Sequence, residues 1–434
     1  MRDFIDDLVS VELFDLPFHS PRFTWSNHRL EEPVAKKLDC CLVNGSWLLC
    51  FPAAHCSFES PDFSDHSPGL VRITTPRPSY GKGALDDLRV AEESFFKQRS
   101  RIRWLGEGDL KRFFHSVTKV RNASNGIKFL LRANGTRTSS LQEAHELAVE
   151  YYQSFLTTIR GMYCPDLPRF LATLVESTCS TLQQGFLSLP FNSEMVRRSL
   201  FKMPLNKTPG PDGFPVEFFK ASWDVVGPEL EASVLHFFES SFMPTSLNST
   251  SLVLIPKRPG AEELKDFRPI ACLNTLYKVI TRLLSERLKN VLPGIILPNQ
   301  TAFVKDQLLL ENVLLASEIV QGYHREGFEK RITLKVNISK AFDSVRWDFL
   351  LNVLEAYQIP SVFLNWVKCC VCSPSFSVSM NGVTSGYFKG KSGLRQGDPL
   401  SPILFVMIMN VLSLMLNKAA REGLFAYHPG CQEL

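Results

Sequence analysis

Residues 334–345 read LKVNISKAFDSV. Apolar side chains recur at every second position, Ile332, Leu334, Val336 and Ile338, with Thr333, Lys335 and Asn337 between them. That is the period of a half-buried strand. From about Ser344 the period becomes helical, with Phe349, Leu350, Val353 and Leu354 on one face. Lys340, Phe342 and Asp343 fall at the junction, and polar groups at the C-terminal end of a strand are a common place for chemistry.

Downstream, Phe376 to Met380 alternates again, and Asn381-Gly382 is the strongest short hairpin signal. The return strand runs through Tyr387 and Phe388. The run from Ser392 to Pro402, SGLRQGDPLSP, then enters an apolar helix predicted over Ile403 to Leu416. Upstream, Lys207 to Gly213, KTPGPDG, is a dense turn signal. Ser251 to Lys257 is a β-type run ending in a cation, and Phe267 to Ile270 begins another element. Leu276, Val279, Ile280, Leu283, Leu284 and Leu288 form one helical stripe that Pro293 closes. Gln300 to Val304 reads as strand-like and Leu308 to Val320 as helical.

Towards the N-terminus, Leu141 to Leu156 and Cys164 to Leu187 read as apolar packing helices. Between Lys97 and Arg121, basic residues interleave with Trp104, Phe113 and Phe114. Such a run is either a solvated helix face with its rings turned inward, or a surface for phosphates and bases. Thr74 to Gly83 is Pro/Gly-rich and reads as a linker, with a helical pattern over Leu85 to Trp104 beyond it. Before it lie strand-like pieces at Phe23 to Asn27 and Leu38 to Val43, and the run Ser64-Asp65-His66-Ser67-Pro68.

A chain of 434 residues is long enough for two or three domains. Its composition, 44% hydrophobic and 21% charged, is that of a globular protein. The net charge of +4 does not announce a nucleic-acid binder, so any basic surface is local. Met1 is followed by acidic and polar residues rather than an apolar run, and the eleven cysteines are an odd number. The expectation is reduced thiols inside the cell, in nucleus or cytoplasm, without secretion. His428 and Cys431 have ligand spacing but no second pair, which argues against zinc. No apolar run is expected to be long enough to span a bilayer, and no membrane partner is expected.

The ordered motifs KTPGPDG, LVLIPK, FRPI, LKVNISKAFDSV and SGLRQGDPLSP resemble the reverse transcriptases of LINE-type, non-LTR retrotransposons. FTWSN, KLDCCLVN and SDHSP resemble the C-terminal end of the endonuclease/exonuclease/phosphatase domain that precedes the polymerase in such elements. The resemblance implies an α+β chain. Residues 1–73 would be a remnant of the α/β endonuclease domain and 74–186 a mostly helical basic connector. Residues 187–330 would be the fingers, and 331–434 part of a ferredoxin-like palm, truncated and without a thumb.

By the same resemblance, Lys257 and Arg268 hold the triphosphate of an incoming deoxynucleotide. Arg can form two parallel charge-assisted bonds to phosphate, and Lys acts as a compact charge. Phe342 either screens the ribose 2′ position or packs in the core. Gln396 and Gly397 lie under the pair of template base and incoming nucleotide, the partners being an RNA template and a DNA primer. His66 acts as an acid/base group oriented by Asp65. The family's Mg²⁺ is held by a carboxylate at position 337, the backbone carbonyl of position 338 and an Asp pair further on.

Here position 337 is Asn, beside Ile338, and no such Asp pair follows before Leu434. Magnesium prefers charged oxygens, so Asn337 is expected to hold it poorly. The reading is therefore an RNA-directed DNA polymerase domain expected to be inactive, the alternative being a non-catalytic nucleic-acid-binding protein derived from one. The oligomeric state is not fixed by these features.

Overall fold

The computed structural model describes residues 13–16, 18–19, 24–27, 35–36, 39–44, 47, 51, 54–58, 66–73, 126–159, 161, 164–258, 260–304, 308–321, 323 and 333–426. The chain forms two compact units, Met1–Thr118 and Lys119–Leu434. Asp65, the Pro/Gly-rich linker, the basic run from Lys97 to Arg121, His428 and Cys431 lie outside the described residues.

The described elements of the first unit are short strands. β1 (Leu13–Asp15) pairs antiparallel with β5 (Leu42–Asn44), and β3 (Trp25–Ser26) with β4 (Ala35–Lys36). β2 (Phe18–His19), β6 (His55–Phe58) and β7 (Gly69–Arg72) make a three-stranded sheet. Leu16, Val43, Ala54, Cys56 and Phe58 form a small buried cluster.

The second unit is mixed helix and strand around one hydrophobic core. Its helices are α1 (Leu141–Thr157), α2 (Leu167–Leu174), α3 (Thr181–Ser188), α4 (Ser193–Phe201), α5 (Val216–Ala221) and α6 (Trp223–Ser240), then α7 (Thr275–Val291), α8 (Leu309–Val320), α9 (Trp347–Ala356), α10 (Ser361–Val371) and α11 (Ser401–Arg421). Four strands, β8 (Ser249–Pro256), β9 (Phe267–Leu273), β10 (Ser375–Met380) and β11 (Val383–Lys389), assemble in the order β11-β10-β8-β9. β8 runs antiparallel to β9 and parallel to β10. The β10–β11 hairpin turns on Asn381 and Gly382, both with positive φ, as a type I′ turn requires. The Asn381 side chain also clasps the backbone of Ile127, accepting from its N–H at 2.9 Å and donating to its carbonyl at 2.7 Å.

Local chemistry sets the helix boundaries. Ser140 caps α1 by accepting from the Glu143 amide. Ala144, Ala148, Tyr152, Phe155 and Leu156 then form its buried stripe. Ser180 and Gln183 form a capping box at the start of α3. α7 is the centre of the core, with Tyr277, Val279, Ile280, Leu284 and Leu288 fully buried. Arg287 sits among these apolar neighbours because the C-terminus of α3 leaves carbonyls to be satisfied. Its guanidinium donates to Leu187, Leu189 and Pro190 and lies 3.3 Å from the centre of the Phe191 ring. Burial draws the Arg287 pKa down to about 10.

Four sequence expectations are corrected. The alternating run at 332–338 is not a strand over its described residues, 333–338. Leu334 and Val336 are 82% and 76% exposed, because among the described residues nothing pairs with this backbone. A strand without a ladder has only water to satisfy its amides. Gln300 to Val304 is likewise a turn rather than a strand, with Thr301 and Val304 buried and Phe303 exposed at φ +63°. Cys164 to Leu187 is two helices, α2 and α3, separated by extended backbone in which the Cys179 amide donates to the Tyr357 carbonyl at 3.0 Å. Finally, α11 is 21 residues of mostly apolar sequence, long enough to cross a membrane by length and composition. The core accounts for much of that character: Ile403, Leu404, Val406, Met407 and Val411 are buried in it.

Candidate active site

Three segments distant in sequence meet beside the sheet. The stretch after 333–338 docks on the loop before α11: the Leu394 amide donates to the Phe342 carbonyl at 2.8 Å, and that of Gly393 to Val345 at 2.7 Å. The same loop docks on β9, where the Ala271 amide donates to the Gln396 carbonyl at 2.9 Å. Gly397 is required there. Its φ is +121°, and a Cβ would stand 2.8 Å from the Ala271 carbonyl oxygen. Gln396 and Gly397 are exposed at this junction, and so is Arg268 three residues before Ala271 on β9.

Lys257 follows β8 at the same end of the β8–β9 hairpin; its amide and Nζ donate to the carbonyls of Asp266 and Lys265 at 2.9 and 2.7 Å. Phe342 is half-buried and stacks on Phe405 of α11, with centroids 4.6 Å apart. Core packing therefore describes this ring as it stands. Asn337 and Ile338 are exposed on the unpaired segment.

α1 closes the junction from one side. Lys340, at φ +52°, donates to the Tyr151 hydroxyl at 2.6 Å and lies 3.8 Å from the centre of the Phe155 ring. Behind it, Asp343 shares a small, partly open cavity of about 20 Å³ with Tyr152, Phe155, Pro269 and Gln396. Desolvation pushes the Asp343 pKa up to about 6, against the pull of Lys340 and Lys257. Tyr152 is raised for the same reason, with Tyr151 and Asp343 adding to it.

A raised carboxyl binds its proton more tightly in the folded chain than in the unfolded one. Its contribution to stability is thus fully present below about pH 4, the unfolded pKa, and is lost as pH rises through about 6. Asp343→Asn removes this dependence. The difference in urea midpoint between variant and wild type is expected to shift in favour of Asn between pH 4 and 7. A difference that stays flat over that range means Asp343 titrates normally.

Among the described residues, the donor set beside position 337 does not fit a pair of divalent ions. Asn337 offers a neutral amide oxygen. Among the described residues, no group of three or more His, Cys, Asp or Glu side chains is placed to hold a metal.

In the first unit, His66 Nδ1 lies 2.8 Å from the Asp39 carboxylate. A carboxylate 27 residues upstream, in KLDCC, therefore stands beside His66, while the expected partner Asp65 lies outside the described residues. The Asp39 amide donates to the Thr24 hydroxyl at 3.1 Å, while Trp25 bridges to His66. The signal was present, since Leu38 to Val43 reads as a strand-like piece carrying one acid.

Comparison with known proteins shows what the chain is similar to. The family described as "Reverse transcriptase (RNA-dependent DNA polymerase)" matches residues 255–428, which include β8's last residues, β9, the Asn337 segment and the loop before α11. The chain is 29% identical over 340 residues to the Transposon TX1 uncharacterized 149 kDa protein of Xenopus laevis, covering 78% of this chain and 26% of that protein. It is 27% identical over 286 residues to the Pol polyprotein of the type-2 retrotransposable element R2DM of Drosophila melanogaster, covering 66% of this chain and 25% of that one. A type-1 element R1 polyprotein of Bradysia coprophila is 27% identical over 249 residues, covering 52% and 23%.

The chain carries a reverse transcriptase domain similar to those of non-LTR retrotransposons. The chain spans about a quarter of the length of these curated relatives. Sequence reading singled out Arg268, Phe342, Gln396 and Gly397, and the structure brings Gln396 and Gly397 against β9, the strand that carries Arg268. Sequence reading missed the α1 aromatics over Lys340, which lie some 190 positions away, and the buried side chains that flank Gln396 and Gly397.

Proposed function

We propose that the domain engages an RNA template paired with a DNA strand, together with a deoxynucleotide, and that Asn337 suppresses nucleotide addition. The observation that carries this is the junction at which the Gln396 carbonyl meets Ala271 and the Phe342 carbonyl meets Leu394. It brings an exposed amide side chain and a close-approach glycine against β9, the strand that carries Arg268. Arg268 and Lys257 supply charge for phosphates, and Gln396 supplies a donor and an acceptor for a base edge. Asn337 favours a binding role over a synthetic one, because in-line phosphoryl transfer by the two-ion route needs clustered oxyanions.

Fluorescence anisotropy with a labelled RNA–DNA hybrid tests the reading. Affinity is expected to fall steeply with salt, each phosphate contact adding about 0.9 to the log–log slope. Arg268→Ala should lower that slope by about 1. Primer extension in Mg²⁺ is expected to match a protein-free control. Absence of binding at low salt, or a flat salt response, would remove the binding role; robust extension would remove the claim about Asn337.

A further inference from the structure

Gln396 and Gly397 face solvent, yet the residues on either side of them are sunk in the core. Arg395 is 6% and Asp398 3% exposed. Arg395 Nη1 donates to Asn248 Oδ1 at 2.7 Å and to the Thr250 hydroxyl at 3.0 Å. Its Nη2 donates to the Cys370 carbonyl at 2.9 Å and to the Tyr277 hydroxyl. That hydroxyl donates in turn to Asp398 Oδ2 at 2.8 Å, and Asp398 Oδ1 accepts from the Leu400 amide at 2.9 Å. The direct approach of Arg395 to Asp398 is 3.7 Å, too long for a hydrogen bond, so the hydroxyl carries the connection. The guanidinium also lies 4.2 Å from the centre of the Tyr277 ring.

Tyr277 belongs to α7, which begins directly after β9, and β9 holds the Gln396 carbonyl through Ala271. One continuous β9–α7 segment therefore grips this loop from two sides. A buried network of this kind is rigid only while every member is satisfied.

We infer that Tyr277 is a positioning residue: its hydroxyl ties Arg395 to Asp398 and so sets the spacing at which Gln396 and Gly397 meet a template–nucleotide pair. This rests on the reading of the exposed loop as the nucleic-acid-facing surface. No contact between Tyr277 and the nucleic acid is needed, since the ring is fully buried.

Tyr277→Phe in the full chain keeps the ring and removes the hydroxyl. Amide exchange at Gly397 and Asp398 is expected to rise about tenfold, the equivalent of one lost charge-assisted hydrogen bond, while the β10–β11 hairpin keeps its protection. Hybrid affinity, measured well below the melting temperature, should fall by about the same factor. The double variant Tyr277→Phe/Gln396→Ala should bind no more weakly than Gln396→Ala alone, because the hydroxyl acts through Gln396. A merely structural role would lower the melting temperature without that coupling.

Unchanged exchange at Gly397 and Asp398, or additive losses in the double variant, would overturn the proposal. Should Tyr277→Phe not fold, Thr250→Val tests the same network by removing an acceptor from Arg395, with the same rise in exchange expected and the same null result counting against it. If wild type binds no hybrid, the functional reading fails while the exchange measurement still decides whether Tyr277 holds the loop.

Discussion

Arg395→Met is expected to destabilise the second unit by about 3–5 kcal/mol, the cost of leaving a buried charge without its partner. The variant fills much of the same space but strands Asp398 inside the core. It also leaves Asn248 Oδ1 and the Thr250 hydroxyl without the donor that satisfies them, and takes one of several donors from the Cys370 carbonyl. Urea unfolding measures this directly, as a lowered midpoint at an unchanged slope. A companion variant separates charge from packing: Arg395→Met with Asp398→Leu removes both ions and should recover more than half of the loss. A single-variant cost below about 1 kcal/mol would mean that water or a shifted Lys satisfies Asp398.

Gly210→Ala is expected to be of similar size. Gly210 lies in the turn 207–213, which packs on the N-terminus of α7. A Cβ there would stand 2.1 Å from Asn274 Oδ1, 2.3 Å from the Asn274 amide nitrogen and 2.5 Å from the Leu273 carbonyl carbon. Two of those atoms are backbone, at the point where β9 turns into α7, so they have little room to give. Asn274 cannot swing aside cheaply either: it accepts from the Asp212 amide and donates to the Ser246 and Leu247 carbonyls at 3.0 and 3.2 Å. Thr275 and Lys278 hold the same turn through the Phe214 and Thr208 carbonyls.

Overpacking costs about 1–3 kcal/mol where neighbours can yield. With backbone on two sides, about 3 kcal/mol or more is expected here. Gly185→Ala is the control, in α3 with nothing within 4 Å of its added Cβ. It should be neutral or mildly stabilising through helix propensity. Equal effects of the two substitutions would show that the turn is not seated on Asn274.

Local rules of sequence found what local rules govern. The Asn381-Gly382 turn, the β8 run and the α7 stripe each depend on neighbours within a few positions, and each forms as its pattern requires. The 333–338 segment failed because alternation reports only which side chains share a face. A strand also needs a partner for its amides, and pairing is a long-range property. The same limit hid Asp39, whose link to His66 spans 27 residues, and Tyr277, whose link to Asp398 spans 121. Arg395 and Asp398 are charged residues in a polar run, which composition would leave at the surface. Only the convergence of α7, α10 and β8 makes a dry place for them.

The open backbone at 333–338 also bears on how the molecule meets its own copies. Leu334 and Val336 present an apolar row along a backbone that pairs with no strand among the described residues. Such an edge is a template onto which another chain can zip, and natural sheets usually guard it with charge or proline. Lys335 stands between these two exposed aliphatic side chains, so its charge is expected to oppose self-association in crowded solution, and salt that screens it to weaken that opposition.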